Sequence, residues 1–427
     1  MLFWMISTVP CLAQGQALES GQLEPLVIGQ AIAEAVAKNL ELFAERYKIP
    51  IADAQIVTAK LRPNPVVSLW GNYFDILGTG FDPATNAAGP TEAGARVDLV
   101  LERGGKRRER IAVAEASKTV SQLELLNATR TLIVGVQNAF VDALQAKADV
   151  ALAVENLKTF EEIARVNTSR VKSGDLAEVE LIRSQVAQLQ FENTVRQAEL
   201  RLQTARARLQ LLVGRRRGDR LVDAIGEMRR DETLLSLEAL RERAFAQRPD
   251  VLAQRQDQAR SQAELRLQLA QGKVDYTVGA AANRQWVPSL NAGNSMRFFF
   301  SIPLPLYNRN QGEIARAQQE RLQVEARMHA LETTIENEVD IAYLQYQNAR
   351  TTLSRIEETL LAKAKDVRQV TEYSYRRGEA TFLEFLDAQR AYNETVQAHN
   401  EAQADFSRSL YSVDAATGTT PSGGSSR

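Results

Sequence analysis

Apolar residues recur at helical spacing over most of the chain, and twice that rhythm gives way to alternation. Residues 29–60 are alanine-rich with apolar positions three and four apart, and Pro63 and Pro65 close the pattern, predicting a helix. Strands are expected at 66–73 and 96–102, joined by a loop carrying Gly78, Gly80, Pro83, Asn86, Gly89 and Pro90. In the second strand Val97, Leu99 and Leu101 share one face, while Arg96, Asp98 and Glu102 share the other. From 106 to 172 only Gly135 interrupts a helical pattern of ~66 residues, or ~100 Å at ~1.5 Å per residue. No compact domain needs so long a helix.

The plan then repeats. Gly174 turns the chain into a return helix over 177–213, where Val179, Ile182, Val186 and Leu189 have the spacing of a coiled-coil seam. Arg215, Arg216 and Arg217, between Gly214 and Gly218, read as a solvated loop. A helix over 236–271, bent at Pro249, precedes strands at 274–286 and 295–302, separated by a turn over 288–294. Met296, Phe298, Phe300 and Ile302 form one row of the last strand, and Arg297, Phe299 and Ser301 the other. A helix over 312–376, a turn at Gly378 and a helix to about 411 complete the second unit.

Gly174 and Gly378 stand 204 positions apart, and the same offset matches Asp175 with Glu379, Glu180 with Glu384, Leu181 with Phe385 and Gln185 with Gln389. The unit is duplicated. In each copy the leading and return helices together nearly equal the long one, ~69 residues against ~66 in the first, so two short helices can stack end to end beside one long helix. The resulting map is a signal peptide at 1–13, an N-terminal segment at 14–28, a first unit at 29–213 with its hairpin at 66–102, and a linker at 214–235. A second unit follows at 236–415 with its hairpin at 274–302, and a disordered Gly/Ser/Thr-rich tail at 416–427.

Composition narrows the chemistry. Lys plus Arg at 52 against Asp plus Glu at 53 gives a net charge of -1, so no nucleic-acid partner is expected. Cys11 is the single cysteine, and His329 and His399 are the two histidines, too few for a zinc site or a Cys/His nucleophile, so neither metal nor cofactor is expected. The sequence carries no G-x-S-x-G, H-E-x-x-H, Walker loop or dinucleotide fingerprint, so catalysis is not expected. Residues 1–13 form an apolar export signal without a basic start, and Pro10 disfavours lipid attachment at Cys11. Beyond them no apolar run reaches the ~18 residues of a membrane helix, so a membrane would have to be crossed by strands.

Four strands cannot close a conducting barrel, and open edges cannot face lipid. Three copies would supply twelve strands and twelve helical columns, with apolar rows outward and Arg96, Asp98, Glu102 and Arg297 toward water. The order of these elements, with Leu101-Glu-Arg-Gly-Gly-Lys-Arg107 and Pro303-Leu-Pro-Leu-Tyr-Asn-Arg-Asn-Gln-Gly312, resembles the outer-membrane efflux proteins of the TolC family, and within them the cobalt-zinc-cadmium branch. The resemblance implies a mainly α fold with a membrane β part: a homotrimer whose twelve-stranded barrel sits in outer-membrane lipid and continues into an α-helical periplasmic tunnel. It also implies a periplasmic adaptor and an inner-membrane pump as partners.

By the same resemblance Tyr375, Gly378, Glu384 and Asp387 match the family's constriction pattern, with Glu180 at the corresponding place in the first unit. Glu384 and Asp387 are expected beyond the first helical turn, where the dipole has faded, and three copies would form acidic rings. Ser173, Gly174, Asp175, Arg377, Gly378 and Glu379 form the turns expected to meet the adaptor. Asp175 and Glu379 also suit the positive end of a helix dipole. Ala380 departs from relatives that carry arginine there, removing a closing ion pair. Lys106, Arg107, Arg108 and Arg110 are solvated surface or contacts to anionic headgroups, and Trp70 and Trp286 are interface residues or packing. The rival reading is a periplasmic coiled-coil scaffold with a small soluble sandwich.

Overall fold

The computed structural model describes residues 23–74, 76–77, 90–216, 218–231, 236–287 and 290–419. The expected signal peptide, the first hairpin's loop residues from Gly78 to Gly89, and tail residues 420–427 lie outside them.

A short strand, β1 (Glu24–Leu26), leads into α1 (Ile28–Lys38), α2 (Leu40–Arg46) and α3 (Lys48–Lys60). The single helix expected at 29–60 is thus three pieces, for local reasons. Asn39 adopts an extended conformation and its side chain accepts from the Leu42 amide, starting a new helix. Pro50 lacks the amide an uninterrupted helix would need, and is tolerated in the first turn of α3.

After β2 (Val66–Asn72) and β3 (Thr91–Leu101) come α4 (Lys106–Ser173), 68 residues without a break, and α5 (Glu178–Val213). The linker contributes β4 (Val222–Ala224), which pairs in parallel with β1, Pro25 opposite Asp223. The second unit comprises α6 (Leu237–Gln247), α7 (Pro249–Gln271), β5 (Tyr276–Val287), β6 (Leu290–Ser301), α8 (Gln311–Arg355), a π-helical turn (Ile356–Leu360), α9 (Leu361–Arg377) and α10 (Phe382–Thr417). Its strands absorb most of the expected turn at 288–294, and α10 continues past 411 to Thr417, so Ala416 and Thr417, expected in the tail, are helical.

Both units stack two helical columns end to end. Gly214 caps α5 in the left-handed region at φ 83°, and a Cβ there would lie 2.6 Å from the Lys38 carbonyl oxygen. The Asn39 Nδ2 donates to Leu212 O at 3.0 Å across the same joint. In the second unit Gly418 caps α10, and a Cβ would lie 2.9 Å from Arg248 Cα. The two caps are again 204 residues apart, and both return helices have 36 residues.

These joints are well buried. Ala31, Ala35, Val136, Phe140, Leu209 and Val213 pack with Leu26 and Val222 at the first, each large apolar side chain contributing about 1.5–3 kcal/mol. Arg215 belongs to this joint. Its side chain is 8 % exposed and pairs with Glu24 at 2.8 Å and Glu34 at 2.9 Å, so the basic cluster is not wholly a solvated loop. Asp223 of β4 takes Lys147 at 2.7 Å and Arg206 at 2.6 Å. At the second joint Arg248, 3 % exposed, donates to Asp250 and Glu338 at 2.6 Å and to Ala416 O at 3.2 Å.

The hairpins join into one antiparallel sheet in the order β2-β3-β5-β6, with β3 pairing β5 across the units.

Candidate functional site

Two places carry the residues singled out from the sequence: the sheet and the helical turns at the far end of α4. Register aligns Ser68, Arg96, Ala281 and Arg297 across the sheet, so these four positions share a face with Glu92, Asp98, Asn283 and Gln285. Val67, Leu69, Val97, Leu99, Met296, Phe298 and Phe300 lie on the opposite face and are all exposed, Phe298 at 81 %. Seven unpaired apolar side chains in open water would be costly at about 25 cal/mol per Å².

The charged face is internally compensated. Arg96 pairs with Asp98 at 2.8 Å and its guanidinium lies 4.0 Å from the Phe299 ring centroid. Arg297 reaches Glu92 at 3.6 Å. Glu102 departs from the expected lumen row: β3 ends at Leu101, and Glu102 pairs with Arg110 near the start of α4. Lys106 pairs with Asp275 at 2.7 Å, and Arg107 Nε donates to Lys60 O at 2.7 Å, closing the end of α3. The basic start of α4 is therefore a clasp between sheet and helices, in which Arg107 and Arg108 remain exposed, Arg108 at 82 %. Trp70 lies on the charged face over Gly94, where a Cβ would meet the indole at 2.3 Å, so it is a packing residue.

At the turns, Gly174 and Gly378 take left-handed conformations with φ 83° and 79°, closing α4 and α9. Ser173, Gly174, Asp175, Arg377, Gly378 and Glu379 are all exposed. Ser173 Oγ donates to Asp175 Oδ2 at 2.7 Å, and Arg377 approaches Glu379 at 3.9 Å. Arg170 binds the two turns together, its guanidinium donating to Tyr375 O at 3.4 Å and to Arg376 O.

Tyr375, matched to the constriction, is buried within the chain. It is 5 % exposed in a cluster with Phe160, Ile163, Ala187, Phe382 and Phe385, stacked on Phe385 at 5.5 Å between centroids. Burial pushes its phenol pKa up, and its hydroxyl donates to buried Asn167. Ala380 packs against this cluster, so the position without the arginine is part of an apolar core.

Glu384 lies in the first turn of α10, not beyond it. Its carboxylate accepts from the Thr381 amide at 2.7 Å and the Thr381 hydroxyl at 3.0 Å, while Thr381 Oγ1 accepts from the Glu384 amide, a capping box. Those bonds hold its pKa below the usual value. Thr381-Phe-Leu-Glu384 is the sequence signature of that cap, so the signal was present in the chain. Asp387 is exposed one turn on. Glu180 stands at the matching site but follows Ala177, which has no capping side chain, and pairs instead with Arg183 at 2.8 Å. One Glu180 carboxylate oxygen is buried without a partner among the described residues.

A duplicated helical body carrying an open sheet with one apolar and one charged face is the protomer type of the outer membrane efflux proteins. The chain belongs to that family, whose model, described as Outer membrane efflux protein, matches residues 31–215 and 240–419, the two units in turn. It is similar to the cobalt-zinc-cadmium resistance protein CzcC of Cupriavidus metallidurans, 25% identical over 369 residues that cover 86% of this chain and 84% of CzcC. It is also similar to the outer membrane efflux protein BepC of Brucella suis, 21% identical over 91% of this chain and 84% of BepC. The solved outer-membrane channel OprN shares the fold, with a TM-score of 0.75 at 17% identity over 92% of this chain and 90% of OprN.

Proposed function

We propose that three copies of this chain form the outer-membrane exit duct of a tripartite efflux system. The sheet carries this reading: its apolar face is exposed and its edge strands β2 and β6 each lack a neighbour on one side among the described residues. Copies set edge to edge give twelve strands, remove the unpaired edges and turn the apolar rows toward lipid. Arg96, Asp98 and Arg297 then face a water-filled lumen that continues between the helical columns.

The exposed turns around Gly174 and Gly378 are the edge offered to a periplasmic adaptor, and an inner-membrane pump supplies the energy. Glu384, Asp387 and Glu180 contribute acidic rings near that end, concentrating cations at the entrance. Similarity to CzcC supports divalent heavy-metal cations as cargo.

Extraction and mass test the reading. The protein is expected to resist carbonate washing, to require detergent, to purify at three times the chain mass and to conduct in planar bilayers. A monomer released by carbonate would favour the scaffold instead. For cargo, cells lacking the protein are expected to become sensitive to cobalt, zinc or cadmium, and sensitivity confined to organic compounds would overturn the metal assignment.

A further inference from the structure

Outward-facing positions of β5 run Tyr276, Val278, Ala280, Ala282, Arg284 and Trp286. The two aromatic ends are ten residues apart, ~33 Å along the strand and ~25 Å along the normal of a barrel tilted by about 40°. That is the height of a lipid-facing apolar band. Each end carries an arginine against its ring: Arg103 lies 4.3 Å from the Tyr276 centroid, and Arg284 lies 5.9 Å from the Trp286 centroid.

The two arginines differ in what else they touch. Arg103 donates to the Tyr276 hydroxyl, and its backbone amide donates to Asp275. Arg284 is exposed and has neither hydrogen bond nor ion pair among the described residues. Beside it is a depression of about 330 Å³, lined by Ala93, Ala282 and Met296 together with Asn283, Asn294 and Ser295. Small side chains at Ala93 and Ala282 make its floor, because register sets Ala93 opposite Arg284 and Ala282 opposite Met296. An unpaired cation at the edge of the apolar band, above a shallow hollow with an alanine floor and polar sides, matches a lipid with a phosphate headgroup and acyl chains.

We propose that Arg284, with Trp286 and the hollow beside it, binds an anionic phosphate-bearing lipid in the membrane leaflet at the hairpin-turn end of the sheet. The guanidinium takes the phosphate as a charge-assisted donor pair, the indole lies at headgroup depth, and the first acyl carbons fill the space over Ala93 and Ala282. The inference rests on the sheet being the wall of a membrane barrel.

Native mass spectrometry of the detergent-purified full-length protein, offered equal phosphatidylglycerol and phosphatidylcholine, tests it. The wild type is expected to retain phosphatidylglycerol preferentially. Arg284→Gln is expected to retain it about fivefold less, the effect of one cation near an anionic surface, while Arg201→Gln on the exposed face of α5 retains it fully. Millimolar inorganic phosphate is expected not to displace the lipid. Undiminished retention by Arg284→Gln, equal retention of both lipids, or displacement by phosphate would each overturn the site. Ala282→Phe fills the hollow with Arg284 intact and is expected to lose the lipid too, so a poorly folding arginine variant does not end the test. The same spectra give the subunit count: a trimer without lipid preference sinks this site alone, and a monomer sinks the barrel reading.

Discussion

The Tyr375 hydroxyl donates to Asn167 Oδ1 at 2.7 Å, with both side chains buried, so a buried bond joins the Arg170 contacts in tying the end of α9 in the second unit to α4 in the first. Asn167 Nδ2 has no partner among the described residues, which leaves this bond as the amide's compensation. Removing it costs more than a surface bond would, because a buried acceptor is left unpaired. Tyr375→Phe is expected to destabilise the protein by about 1–3 kcal/mol. Hydrogen exchange is expected to quicken in the Gly174 and Gly378 turns and not at the Gly214 joint. Unchanged exchange at the turns would detach this bond from their order.

Glycines at turns and joints answer different demands. Among the described residues nothing stands within 4 Å of a Cβ at Gly174 or Gly378, so alanine there meets only left-handed backbone strain, about 1–2 kcal/mol. At Gly214 the same substitution meets that strain and the Lys38 carbonyl, adding about 1–3 kcal/mol of overpacking. Thermal unfolding is expected to rank Gly214→Ala well below Gly174→Ala. A bulky residue at Gly174 or Gly378 is expected to leave the assembly intact and abolish export, because it alters only the exposed edge. Normal export by such variants would remove the docking assignment.

How far the chain announces itself varies with the range of the signal. Duplication was legible from the turns, and the offset between Gly174 and Gly378 recurs at Gly214 and Gly418. Alternation gave the sheet's two faces, since a period of two is unambiguous over a long strand. Strands β1 and β4 have three residues each and no period, so their pairing was not legible. The π-helical turn at Ile356–Leu360 uses ordinary helix formers. Tyr375 illustrates the larger gap: its burial depends on Phe160 and Asn167, more than two hundred residues away, and no local pattern announces it.

Arg248 holds the second joint by charge as well as by shape. Burial pushes the Asp250 pKa up, but the hydrogen bond from Arg248 and the charges of Arg248 and Arg130 outweigh it, leaving the pKa below its ordinary value. Stability from this pair is therefore full above the unfolded carboxyl pKa and is lost as pH falls through the depressed one. Arg248→Met is expected to cost about 3–5 kcal/mol near neutrality, because Asp250 keeps its burial and loses its main partner. The deficit relative to wild type is expected to shrink in acid as Asp250 becomes neutral. A deficit independent of pH would mean that packing against Gly418, not charge, carries the joint.

Glu384 and Asp387 separate a structural from a conductive role at the acidic ring. Glu384 is engaged in the Thr381 cap, and its lowered pKa means that this capping contribution is present above the ordinary carboxylate value and lost as pH falls below it. Thr381→Ala is expected to cost about 1 kcal/mol while leaving the ring charge in place. Asp387→Asn removes charge without touching the cap, so its effect on reversal potential in a salt gradient reports selectivity alone. If the ring acts as proposed, Asp387→Asn lowers cation selectivity and Thr381→Ala does not, and Glu384→Gln with Asp387→Asn lowers it further. Selectivity unchanged in the double variant would leave Glu384 as a helix cap and Asp387 as solvated surface.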